Sequence, residues 1–328
     1  MVRIAHVIAS SDQRDQRWHG SGDARLLACH AAIAGSPTHQ HACVILGPTD
    51  FAERANELAL PVARTLPPVC GRAITKTGAL GTWLRDCGAD IVQPWDPRAD
   101  AVCRRASFPQ PLIAAPTDDD PLPIIELPPL QADAAALTSA PLPLLTEPAA
   151  AGPARIASFA NAVLTAATVP ATVVLSAKAT HADRAASLMI DSPHAYALWR
   201  EWSALDAIRA KPMAALAVAH PGIDADRWAT LVAIAAAHAH GVPVVATSEF
   251  IHPRLYPTDI APLLTAATPD ARGLIDRVRP LHEDSDLATR ISNAVRAHAE
   301  SSCTAGNFVG WLQSQWHNAI PATAGATR

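Results

Sequence analysis

The chain has 328 residues, of which 49% are apolar and 17% charged, and a formal net charge of −4. That length supports one large or two ordinary cores, and the charge offers no basic field for nucleic acid. No uninterrupted apolar run is long enough to span a bilayer, and the opening MVRIAHVIAS is shorter than a secretory h-region, so a soluble, cytoplasmic protein is expected.

In chain order, RIAHVIAS (3–10) is a short apolar run that predicts a buried strand. A polar loop, SDQRDQRWHGSG, follows. DARLLACHAAIAG then has helical apolar spacing, with Asp23 as the expected N-cap and Gly35 as the stop. HACVILG (41–47) is the next expected strand and FAERANELAL the next helix. ITKTGALGTWLRDCGA ends as helix, DIVQPW (90–95) is a strand, and PRADAVCRRAS is a helix with Pro97 in its first turn. PLIAAP reads as a short fifth strand. Such alternation predicts a parallel sheet covered on both faces.

From Thr117 to Pro153 proline is dense and periodicity is weak. PIIEL can be one edge strand, and the remainder reads as linker. Alternation then resumes. ARIASFANAVLTAAT fits strand or helix, ATVVLSAK a strand, HADRAASLMI and HAYALWREWSALDAIRA helices, and AALAVAH a strand. DADRWATLVAIAAAHAHG predicts a helix, VPVVATS a strand, and DLATRISNAVRAHAES and NFVGWLQSQWHNAI two closing helices. The expected organisation is an N-terminal Rossmann-like domain over 1–140 and a Pro/Ala-rich linker over 141–153. A second Rossmann-like domain over 154–310 and a returning C-terminal helix with its tail over 311–328 complete it.

Six cysteines (Cys29, Cys43, Cys70, Cys87, Cys103 and Cys303) form no CxxC pair, so no disulfide framework is expected. The fourteen histidines lack metal-ligand spacing. His39/His41 and His238/His240 stand two residues apart and cannot share a helix face. They read as surface or satisfied core histidines. Lysine occurs only at Lys76, Lys178 and Lys211 in an Ala- and Pro-rich chain, the codon usage of a GC-rich, bacterial-type genome.

Four segments, in order, carry a resemblance. RIAHVIASSD…GSGDARLLACHAAIAG…HQHACVILG resembles the opening of group-one, retaining glycosyltransferases of the GT-B fold. LRDCGADIVQPWDPRA resembles their later N-domain strand, HAHGVPVVATSEF their "CGxPVVAS" strand, and LATRISNAVRAHAES with FVGWLQSQW their two last helices. The resemblance implies an α/β chain of two Rossmann-like parallel-sheet domains facing across a cleft. It also implies transfer of a sugar from a nucleotide-sugar donor, with no metal and no separate cofactor.

The departures from that family are specific. Its two donor-binding glutamates, eight positions apart, fall on Trp228 and Ala236. Its diphosphate-binding Arg and Lys have no matching pattern, Arg155 and Lys178 being the basic residues near suitable strand ends. Its strand histidine is replaced by Gln93, with Trp95 two residues on.

The candidate donor-side residues are Gly20, Gly22, Lys178, Thr247, Ser248 and Glu249. Gly20 and Gly22 would let backbone N–H groups approach a phosphate at a helix N-terminus, although Asp23 as a cap would repel one. Lys178 follows a buried strand and can meet a diphosphate, or is an exposed loop lysine. Thr247 and Ser248 end the VPVVATS strand, and Glu249 can replace a lost carboxylate or sit on the surface. Asp96 and Arg98 are acceptor-side candidates, against a capping role for Asp96 ahead of Pro97. His220 at a strand end is a candidate acid or base. Trp199, Trp202 and Trp228 read as packing residues. No residue is assigned as catalytic.

The expected function is sugar transfer from a nucleotide sugar to an acceptor that the sequence does not specify. The alternative is a catalytically inactive GT-B-like protein with a binding or scaffolding role, and a sugar-nucleotide epimerase of the same fold comes third.

Overall fold

A computed structural model describes residues 1–9, 19–47, 49–67, 75–124, 143–146, 172–177, 199–200, 216–218, 227–268 and 271–320. Backbone proximity divides the chain into two compact units. One comprises Met1–Asp15, Arg25–Pro123 and Ala305–Arg328; the other comprises Gln16–Ala24 and Ile124–Thr304.

The first unit is built on β1 (Arg3–Ala9), β2 (Gln40–Leu46), β3 (Val62–Leu66) and β4 (Ile91–Pro94), all parallel, in the order β3-β2-β1-β4. Helices α1 (His19–Ala34), α2 (Thr49–Glu57), α3 (Thr75–Asp86) and α4 (Pro97–Arg105) connect or follow these strands. β1 is buried along its length after Arg3, as a central parallel strand covered on both faces must be. Ala5, Val7 and Ala9 face one side and pack with Val44, Leu46, Leu80, Trp83, Leu84 and Val102. Strand alternation sends Ile4, His6 and Ile8 to the other side, where the last helix supplies Trp316.

In the second unit β5 (Pro143–Thr146), β6 (Thr172–Ala177), β7 (Trp199–Arg200), β8 (Leu216–Val218) and β9 (Val244–Ala246) are again parallel, in the order β7-β6-β5-β8-β9. The helices described there are α5 (Arg227–Ala239), α6 (Ala261–Leu264), α7 (Ala271–Glu283) and α8 (Ser285–Ser302), and α8 packs on α5. α9 (Ala305–Ala319) closes the chain within the first unit.

Several local readings are corrected. Asp23 does not cap α1: the helix starts four residues earlier, so Gly20 and Gly22 lie in its first turns. Once the Ala24–Ala34 stretch is helical, adding residues is a propagation step, and a glycine penalty of about 1 kcal/mol does not halt it. PLIAAP forms no strand, only a bridge between Val92 and Leu112, because Pro111 and Pro116 bring no N–H to a ladder. α2 stops at Glu57, and Ala59 turns with φ +54° into β3, whose exposed polar residues gave no apolar signal. PLLT, inside the Pro-rich stretch, is a strand at the middle of the second sheet, its proline at the first position where a missing N–H is tolerated. Trp199–Arg200 is extended and pairs with Ser176–Ala177, so parallel pairing overrides the helical pattern there. The PIIEL segment beyond Ile124, ARIASFANAVLTAAT and HADRAASLMI lie outside the described residues.

Candidate functional site

In open parallel sheets ligands sit outside the carboxyl ends of the strands, where the strand order reverses. The first sheet reverses between β1 and β4, and Asp96 lies at that point. One carboxylate oxygen accepts from the Ala9 N–H at the end of β1, at 2.7 Å. The other accepts from the N–H groups of Arg98 and Ala99, at 3.0 and 2.7 Å. Pro97 fills the first helical position, Asp100 stands in the first turn, and Arg104 and Arg105 stand in the last. The proline suits a position whose N–H has no helical partner, and the charges suit the helix dipole. Asp96 is therefore the N-cap of α4, and it also ties β1 to β4 across the reversal point. Arg98, at the same edge, is half-buried.

The sequence reading missed a polar group in the same sheet, in which His6, Gln93, Trp95 and Trp316 are buried and His41 is half-buried. Trp95 donates its indole N–H to His6 Nδ1 at 3.0 Å, and His6 Nε2 meets His41 Nδ1 at 2.9 Å. Gln93 accepts from Trp316 Nε1 at 3.1 Å and donates to the Pro94 carbonyl at 2.8 Å. The signal available in the sequence was a histidine and a glutamine inside two otherwise apolar strands. Burial holds His6 well below the usual imidazole value of 6.5, with the His41 charge adding to it. His41 is lowered too, by burial first, against a raising hydrogen bond to Ser36. Arg25 is also fully enclosed, with Nη1 donating to the Pro116 carbonyl at 3.2 Å.

The second sheet reverses between β5 and β8, and β9 lies next to β8. The segment leading into β9 is set by backbone geometry. The N–H of Gly241 bonds the His238 carbonyl at 2.8 Å, and that of Val242 bonds the Ala237 carbonyl at 2.9 Å. With Gly241 at φ +71°, this is a Schellman ending to α5. Pro243 comes just before β9, where its missing N–H costs little. The outer edge of β9 is covered: Ala266 N–H bonds the Ala246 carbonyl at 2.9 Å, and the Tyr256 hydroxyl donates to the Val244 carbonyl at 3.1 Å.

β9 delivers Thr247 to the carboxyl end of the sheet. Thr247 is buried, and its Oγ1 has no hydrogen-bond partner among the described residues. Ser248–Phe250 form one 3-10 turn, in which Ser248 is exposed and Glu249 half-buried. Arg227, at the start of α5, donates Nη2 to the Glu249 carbonyl at 2.7 Å and so holds this turn in place. Trp228 and Ala236 lie on α5, and both are buried. His238 is buried as well: its Nδ1–H donates to the Leu255 carbonyl at 2.9 Å, and burial pushes its pKa down to about 3. His240, two residues on, sits outside the helix with Nδ1 on the Ala236 carbonyl.

The structure thus groups Thr247, Ser248 and Glu249 at one strand end, and Asp96 with Arg98 at another. Gly20 and Gly22 lie in the first turns of α1. Lys178, Arg155, Trp202 and His220 lie outside the described residues. The Thr247–Glu249 turn offers two hydroxyls and a carboxylate, and among the described residues no nucleophile paired with a base is seen there. No set of three His, Cys, Asp or Glu among the described residues is placed to hold a metal ion. No helix among them is long and apolar enough to cross a membrane.

No protein-family model matches the chain, and no curated protein matches it in sequence. Solved structures do match in shape over nearly the whole length. A glycosyltransferase from Rickettsia africae shares 11% identity at a TM-score of 0.58, covering 98% of this chain and 99% of that one. Anabaena HepE in complex with UDP and glucose shares 13% identity at 0.62, covering 97% and 100%. A UDP-GlcNAc 2-epimerase from Neisseria meningitidis bound to UDP-GlcNAc shares 10% identity at 0.52, covering 97% and 100%. At these identities the likeness establishes the fold: the chain is α/β and GT-B-like.

Proposed function

We propose that this protein binds a nucleotide sugar and transfers its sugar to an acceptor. The observation that carries the reading is the end of β9. There a buried threonine hydroxyl without a described partner and an exposed serine hydroxyl stand at the carboxyl end of a parallel sheet, one strand from its reversal point. A buried hydroxyl left unpaired costs roughly 1–3 kcal/mol, and a bound ligand's polar group would recover it. The same fold holds UDP with glucose in HepE and UDP-GlcNAc in the Neisseria epimerase, which supports a nucleotide sugar as the ligand.

In this reading Thr247, Ser248 and Glu249 contact the donor, and Lys178 and backbone N–H groups near Gly20 and Gly22 meet its diphosphate. Asp96 and Arg98 serve the acceptor side. Catalysis is electrostatic, through stabilisation of the departing diphosphate by cations and backbone dipoles. No metal or separate cofactor is assigned to it.

The test is a thermal-shift screen against nucleoside diphosphates and nucleotide sugars, followed by an assay for release of the nucleoside diphosphate. A donor at 100 times its Kd should add about 2.7 kcal/mol of stability. A flat screen would overturn this reading in favour of an inactive scaffold. Donor binding with sugar inversion and no transfer would point to an epimerase.

A further inference from the structure

The polar group of the first sheet is a chain of hydrogen bonds whose direction is set by one atom. An indole nitrogen can only donate. Trp95 Nε1–H therefore makes Nδ1 of His6 the bare nitrogen, and the proton of neutral His6 sits on Nε2. That N–H points at His41 Nδ1, 2.9 Å away, so His41 accepts there and carries its own proton on Nε2. His41 Nε2–H in turn reaches the Ser36 carbonyl at 3.1 Å, and the Ser36 hydroxyl donates onward to the Ala32 carbonyl at 2.5 Å. Every donor in this chain meets an acceptor only while both imidazoles are neutral.

α9 lies against the same group. The Trp316 ring centroid is 6.1 Å from that of His6, 5.7 Å from His39 and 6.1 Å from His41. Phe308 of α9 packs on Trp95 at 6.2 Å. The helix is thus seated on the members of the chain.

We propose that the Trp95–His6–His41–Ser36 chain is an acid-sensitive latch, which holds α9 on the first sheet while neutral and releases it when a proton enters. A proton on His41 Nδ1 would face the His6 Nε2–H at donor–donor distance. His6 cannot answer by moving its proton to Nδ1, because that N–H would face the Trp95 indole N–H. No reassignment of protons satisfies the chain, so the added proton is accommodated only by parting the rings, and Trp316 rests on them.

The titratable groups facing His41 among the described residues are His6 from β1 and His39 from the turn before β2. β4 contributes Gln93 and Trp95, α9 contributes Trp316 and Phe308, and the end of α1 contributes Ala32, followed by Ser36; none of these carries a charge. No carboxylate among the described residues is seen to stabilise an imidazolium here. Burial keeps both rings neutral at pH 7, which places the release below the ordinary imidazole range.

Hydrogen exchange of the full-length protein tests this, with rates corrected for the intrinsic effect of pH. Between about pH 7.5 and about pH 4.5, peptides covering 305–320 should lose at least about tenfold in protection, the equivalent of one pK unit. His41→Gln keeps an acceptor for His6 and a donor for Ser36 but takes up no proton, so α9 should stay protected in it. Should that variant not fold, Trp95→Phe serves. Freed of the fixed donor, His6 can turn its acceptor to His41, and release should move to lower pH. The proposal is overturned if α9 stays protected at the acid pH in the parent. It is equally overturned if either variant releases α9 at the parent's pH.

Discussion

Trp316 and Gln93, 223 residues apart in sequence, meet in a buried hydrogen bond of 3.1 Å from the indole N–H to the amide oxygen. One end of the bond is on α9 and the other is inside β4, so the C-terminal segment is part of the core of the first unit. Both residues are fully enclosed. Trp316→Phe keeps most of the packing but strands the amide oxygen, and should cost about 1–3 kcal/mol. Trp316→Ala adds a cavity and should cost about 3–5 kcal/mol. Urea unfolding measures both, and a Trp316→Phe variant as stable as the parent would mean that the hydrogen bond contributes nothing.

Asp96 accepts three backbone N–H groups, two from the first turn of α4 and one from the end of β1. Asp96→Ala loses a cap, worth about 0.5–2 kcal/mol, and leaves the buried Ala9 N–H unpaired at about 1–3 kcal/mol. Asp96→Asn retains one acceptor oxygen and should recover part of the loss. If both variants unfold at the parent's urea midpoint, the tie between β1 and β4 has no energetic weight.

Gly241 ends α5 at φ +71°. A Cβ there would meet the Arg296 guanidinium, a flexible end that can move. The backbone conformation remains the obstacle, and Gly241→Ala should cost about 1–2 kcal/mol. Gly241→Asn should cost less, since asparagine tolerates this region better. An alanine variant as stable as the parent would show that the turn relaxes to another conformation.

His6, His41 and His238 all have folded pKa values below 6.5, His238 at about 3. Between the folded value and 6.5 the unfolded chain binds more protons than the folded one. Stability is therefore fully present above 6.5 and falls as pH drops through 6.5 toward the folded value. Each such histidine contributes a slope approaching about 1.4 kcal/mol per pH unit in that window. Unfolding free energies measured from pH 8 to 5 should fall less steeply for His238→Gln than for the parent. Parallel curves would mean that His238 titrates in the folded state as it does in the unfolded chain.

Ser248 is exposed at the end of β9, so Ser248→Trp should change unliganded stability by no more than about 0.5 kcal/mol. In the proposed site it would obstruct the donor and weaken binding of a nucleotide sugar at least about tenfold, or 1.4 kcal/mol. Titration calorimetry on parent and variant decides it, and equal affinities would remove this turn from the donor site.

Much of the fold was legible in local pattern. Apolar runs of four to seven residues alternating with helical spacing specify parallel sheets, because strands buried on both faces need apolar side chains on both. The cap at Asp96, the proline behind it and the glycine at position 241 were readable for the same reason: each meets a backbone requirement within a few residues. Edge strands such as β3 and short ones such as β5 left no such pattern, because their pairing, and not their own side chains, makes them strands. The group around His6 was beyond any local reading. Its partners come from β1, β2, β4, the end of α1 and α9. A lone histidine in an apolar strand has no evident partner until the sheet order and the last helix bring one within 3 Å. The same limit applies to Thr247: its place after VVA predicts a strand end, and only the tertiary structure shows that its hydroxyl is buried.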